Sequence, residues 1–135
     1  MQINHLKRQV PTELIEFIHK RMGTLLIEVS EIEFAMVCST DGFELSSVSK
    51  KNIENAGKLA AVSSSILAMV HAFMGEINLD GCQSLTLDAA NGKAILTAIP
   101  NENHPMILVV LSSKNVLLGQ LLYLIKKITE EISKK

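Results

Sequence analysis

Residues Glu54 to Ile77 read ENAGKLAAVSSSILAMVHAFMGEI. This stretch has the length and composition of one long helix, with almost no charge between Lys58 and Glu76. At a helical step of about 100° per residue, Leu59, Val62, Ile66, Met69, Val70, Phe73 and Ile77 gather on one side. Gly57, Ala60, Ala61, Ser64, Ala68, His71, Ala72 and Gly75 gather on the other. The large side is expected to lie on a sheet of the same chain. The small side is the informative one. A solvated helix back normally carries Lys, Glu, Arg and Gln, whereas Gly, Ala and Ser let another backbone approach closely. Three coverings compete: more of the same chain, a membrane, or another protein. A chain of 135 residues with three helices leaves little to cover the second side. The serine triplet Ser63-Ser64-Ser65 and the turn-rich strands around the helix argue against a membrane span. Protein contact is the reading that remains.

On either side of this helix the sequence alternates between strands and turns. Pro11 and Thr12 open a first helix, with Thr12 as its expected cap and Leu14, Ile15, Ile18, Met22, Leu25, Leu26 and Val29 at helical spacing. Gly23 weakens that run and is a place where it could bend. Phe34 to Ser39 forms an apolar strand, and Asp41-Gly42 turns it into a second one carrying Phe43, Leu45 and Val48. After the long helix, expected from about Asn52 to Ile77, Asp80-Gly81 leads to an alternating strand over Gln83 to Ala89. Asn91-Gly92 is expected to turn this into a strand over Lys93 to Ile99. Met106 to Leu111 is continuously apolar, as expected of a strand covered on both faces. Asn115 is the expected cap of a last helix with Val116, Leu117, Leu121, Leu124, Ile125, Ile128 and Ile132. The order helix-strand-strand-helix-strand-strand-strand-helix predicts one three-layer α/β/α domain over residues 1–135, with its core about 12–132 and a five-stranded, mostly antiparallel sheet.

Composition narrows the function classes. The chain is 47% hydrophobic and 20% charged, which excludes a disordered chain. Its formal net charge of −1 leaves no basic stripe for a phosphate backbone, so no nucleic-acid partner is expected. Lys126, Lys127, Lys134 and Lys135 are offset by Glu130 and Glu131, so no membrane attraction is expected either. Met1 to Val10 carries His5, Lys7 and Arg8 and does not read as a signal peptide. Cys38 and Cys82 have no CxxC spacing and read as reduced core thiols of a cytoplasmic protein.

Enzyme chemistry is missing from the motifs. There is no GxxxxGK[ST], so the chain is not itself a nucleotide hydrolase of the P-loop type. There is no GxSxG, and the serine triplet has no acid-base partner nearby in sequence. His5, His19, His71 and His104 lack metal-ligand spacing with the cysteines or one another, so no metal or cofactor is expected.

The segments STDGFELSSV, ENAGKLAAVSSSILAMVHAF and GCQSLTLDAANGKAILTAIPNENHPMILVVLSSKNVLLGQLLYLIKKI, taken in this order, resemble the Roadblock family of dynein light chains and prokaryotic GTPase regulators. The resemblance runs from about Leu14 to Ile132. It implies a profilin-like fold and a homodimer in which the third strand pairs with its copy, through Gln83, Leu85 and Leu87. The central helices would then pair on one face, with Gly57, Ala61, Ser64, Ala68 and Ala72 at the interface. The first and last helices would cover the other face. Lys58, Ala60, Ser65 and His71 would be left to a partner, which the resemblance makes a small Ras-like GTPase. Arg8 and Arg21 are the only arginines and neither lies on the central helix, so ordering of the partner's switch loops is the expected route to any stimulation. A structural adaptor that bridges two partner chains, as in dynein, is the other function the family offers. A ligand-sensing domain is a third, and it would need an enclosed polar pocket.

Overall fold

A computed structural model describes residues 10–135; the expectations for His5, Lys7 and Arg8 lie outside them. The elements are α1 (Thr12–Glu28), β1 (Ile32–Ser39), β2 (Glu44–Ser49), α2 (Ala56–Glu76), β3 (Leu85–Ala89), β4 (Gly92–Ile99), β5 (Met106–Ser112) and α3 (Leu118–Ser133). The strands form one antiparallel sheet in the order β2-β1-β5-β4-β3. Strands β1 and β5 occupy its middle and are buried almost throughout, which is why both read as apolar runs.

Two cores flank the sheet. On one face α1 and α3 pack Leu14, Ile18, Met22, Leu25, Leu121, Ile125, Ile128 and Ile132 against Ala35, Val37, Ile95, Leu108 and Val110. The guanidinium of Arg21 on α1 meets the carboxylate of Glu131 on α3 at 2.9 Å, so it is committed to the helix pair. On the other face, α2 sits on a smaller cluster of Phe34, Met36, Cys38, Leu96, Ile107 and Val109. The α/β/α layering and the element order are those expected.

Local differences have local causes. Pro11, not Thr12, stands at the start of α1; its carbonyl accepts the N–H groups of Leu14 and Ile15, and no side chain caps the end. Helix α1 continues through Gly23 to Glu28. Asn55 caps α2, its Oδ1 accepting the Lys58 N–H at 3.1 Å, so the helix starts four residues later than expected. Leu117 rather than Asn115 precedes α3. Gly42 has φ +93°, as the first hairpin requires. Gly92 behaves differently: its φ is not positive, and it pairs with Ala89 as the first residue of β4. A Cβ there would stand 2.7 Å from the Ser112 carbonyl oxygen, so glycine is required by the neighbouring strand rather than by the turn. Strand β3 begins at Leu85, two residues after the expected start at Gln83.

Candidate interaction face of the central helix

Helix α2 touches the sheet through a narrow seam. Ala60, Ser63 and Leu67 are its buried residues, spaced three and four apart, with Leu59 and Ile66 partly covered beside them. This corrects the sequence reading in two ways. Ala60, expected at a partner surface, is fully buried: the seam runs through small residues, because they bring the helix axis close to the broad side chains of Phe34 and Met36. The large arc is not wholly on the sheet either. Val62, Met69, Phe73 and Ile77 are 45%, 68%, 65% and 48% exposed.

The hairpin between β1 and β2 fixes which way each flank points. The site of a Cβ on Gly42 lies 3.2 Å from the Ala61 Cα and 3.5 Å from the Ser64 Cβ, so the turn presses on the small flank of the helix. Ser64 donates its hydroxyl to the Thr40 carbonyl and is half-buried. Part of the small-residue pattern is thus explained inside the chain. Since that hairpin borders β2, the large flank lies on the other side of the helix, where Leu59 and Ile66 join the cluster that includes Leu96 of β4 and Leu85 of β3. There Leu85 is half-buried and Leu87 is 43% exposed, while Gln83 precedes the strand and is open.

The remaining residues expected at an interface, Gly57, Ala61, Ala68 and Ala72, are not covered by the sheet, and Lys58, Ser65 and His71 are likewise open. Lys58, Ala61, Ser65, Ala68 and Ala72 share the outer back of α2. The face therefore has two strips: a back of small residues with Lys58 at its start, and a large apolar flank. Sequence periodicity reveals both sets, but the wheel has no origin until the sheet supplies one, so the large flank as an open surface was missed.

Among the described residues, α2 is the one helix long and apolar enough, by length and composition, to cross a membrane. One side of it is nevertheless packed on the sheet between antiparallel strands. No group of His, Cys, Asp and Glu among the described residues could hold a metal ion. Burial pushes the Cys38 thiol up to about 12, with the Glu44 carboxylate adding to the effect, so at neutral pH it is an unreactive packing group. A cleft of about 570 Å³ lies elsewhere, between α3, β4 and the segment before β3.

Among solved structures, the gliding protein MglB of Thermus thermophilus superimposes with a TM-score of 0.81 at 15% identity, over 93% of this chain and 92% of that one. MglB in a tetrameric arrangement gives 0.82 at 16% identity, over 93% and 91%. LokiProfilin1, solved with rabbit actin, gives 0.54 at 14% identity, over 88% and 96%, which places the sheet and its helices in a profilin-like fold. No curated protein matches the sequence significantly. The Roadblock/LC7 domain model matches residues 22–112, and the chain belongs to the Roadblock/LC7 family.

Proposed function

We propose that the chain is a non-enzymatic, homodimeric regulator or scaffold of a small Ras-like GTPase in the cytoplasm. The observation that carries this reading is the uncovered face of α2. Met69 and Phe73, with Val62 and Ile77 beside them, form an apolar flank of a kind that monomers rarely leave in water. The flank is on the side of the helix toward β3, whose outer edge has no strand beside it among the described residues. One two-fold operation can cover both features: β3 pairs with its copy, and the large flanks of two α2 helices meet above the joined edge. This arrangement differs from the one the resemblance implies, in which Gly57, Ala61, Ser64, Ala68 and Ala72 lie at the dimer interface. The back of α2, with Lys58, Ala61, Ser65, Ala68 and Ala72, stays open on the dimer for the GTPase. His71 stands off this strip, nearer the buried seam.

The family and the tetrameric arrangement of MglB support self-association. The unpaired thiols Cys38 and Cys82 suit a reducing cytoplasm. Arg21, held by Glu131 on the opposite face of the sheet, is not available as a finger, so contact would act by ordering the partner's switch segments.

The test uses purified Ras-like GTPases of the same organism, each loaded with GDP or a non-hydrolysable GTP analogue. Nucleotide-dependent capture by the wild-type chain, lost in Ala68→Glu while dimer mass persists, is the expected result. Capture of an elongated partner chain regardless of nucleotide would replace this function by that of a structural adaptor.

A further inference from the structure

Strand β3 ends too early for the strand it pairs with. Its register on β4 runs from Ala89↔Gly92 to Leu85↔Leu96 and stops. Strand β4 continues through Thr97, Ala98 and Ile99, all paired to β5 on their other side. Successive residues of a strand direct their N–H and C=O groups to opposite neighbours. Some main-chain groups of residues 97–99 therefore point to a side where no strand among the described residues pairs with them. The segment Gly81–Ser84 runs alongside but stands off, and the cleft of about 570 Å³ opens between it, Thr97, Ala98 and the α3 side chains Leu122 and Ile125.

At this cleft lies a buried polar group without a partner. Thr97 is 6% exposed, and its Oγ1 is the one buried side-chain N or O atom among the described residues that makes no hydrogen bond. Extending the existing register by one pair places Ser84 opposite Thr97. By strand alternation both side chains then lie on the α3 face, with Cβ atoms about 4.5–5.5 Å apart, within reach of a hydroxyl–hydroxyl bond. Asn78 and Gly81, with φ of 60° and 69°, lie in the connector between α2 and β3.

We infer that β3 is a half-closed strand, and that zipping of Gln83–Ser84 onto Thr97–Ala98 is coupled to pairing of the outer edge of β3 with a second copy. This rests on the dimer reading above. Closing two more residues of an edge strand loses backbone entropy comparable to the net return of the bonds it forms, so a lone protomer gains little. A second strand on the outer edge bonds to the alternate residues of the same segment, so ordering that segment serves both neighbours and tips the balance. The cleft closes as the dimer forms, and anything that wedges the cleft open opposes assembly.

The test uses the full chain with Ser84→Cys and Thr97→Cys in a Cys82→Ser background; Cys38 is buried and unreactive. The Ser84→Cys/Thr97→Cys pair should oxidise to a disulfide under mild conditions. The oxidised chain should assemble at a concentration lower by about fivefold than the reduced one, the factor that one net hydrogen bond supplies. In the wild-type chain, amide exchange of Ala98 should slow with rising concentration in step with mass. An Ala98 amide whose exchange is the same in single and assembled chains overturns the coupling. A disulfide that never forms overturns closure itself. A chain that stays single at every concentration while the disulfide forms overturns the dimer reading, and with it the coupling, but leaves closure standing.

Discussion

Replacing Phe73 by Ala isolates the large flank of α2 from the stability of the protomer. Phe73 is 65% exposed, so little of its surface contributes to the fold of a single chain. Fully burying such a side chain is worth about 1.5–3 kcal/mol, so covering the exposed two-thirds in an assembly is worth about 1–2 kcal/mol. A two-fold interface counts every residue twice, and truncation then removes about 2–4 kcal/mol, or roughly 30- to 700-fold in the dimer dissociation constant. Sedimentation across a concentration series measures the constant, and denaturant unfolding at a concentration where the chain is single should stay within about 0.5 kcal/mol of wild type. Met69→Ala, one helical turn earlier and 68% exposed, should act similarly. The two effects should not add fully, because the side chains are neighbours. If Phe73→Ala leaves the mass unchanged while Ala68→Glu splits the dimer, the small strip lies at the two-fold axis and the assignment of the two flanks is reversed.

Gly42→Ala should destabilise the protomer by about 1–2 kcal/mol in denaturant unfolding, since its φ of +93° disfavours a Cβ and Ala61 stands 3.2 Å from where that atom would be. Asn101→Ala should lower stability by about 2–3 kcal/mol, because this buried side chain accepts the N–H groups of Asn103 and His104 through Oδ1 and donates from Nδ2 to the Ile132 carbonyl. It lies on the α1/α3 side, so dimer mass should not change. Burial raises the Cys38 thiol from 9.0 to about 12. The folded chain thus holds that proton more tightly than the unfolded one, and this contribution to stability is complete below pH 9. Stability should fall by about 1.4 kcal/mol per pH unit between 9 and 12, and Cys38→Val should flatten that alkaline slope in unfolding curves. At pH 7, a thiol reagent should modify Cys82, which is half-exposed, and spare Cys38.

Most of the fold was written in local patterns. The central strands β1 and β5 appear as apolar runs because both their faces are covered. The turn at Asp41-Gly42 appears because a positive φ selects glycine there. The turn at Asn91-Gly92 was found for the wrong reason: the constraint on Gly92 comes from the Ser112 carbonyl on β5, twenty residues away and invisible to turn rules. Strand β3 starts later than the alternation predicts because Gln83 and Ser84 carry the pattern of a strand but pair with no strand among the described residues.

The sequence by itself determined the order of elements, the layering and the existence of a helix too apolar on its whole circumference for water. These follow from periodicity and turn chemistry, which act over a few residues. Only the tertiary structure decided which side of that helix is covered. A helical wheel has no fixed zero, and the zero was set by two distant contacts: Ala60 and Leu67 against the strands beneath, and the Gly42 turn against Ala61. Those contacts put the small residues where backbones meet and leave Met69 and Phe73 exposed.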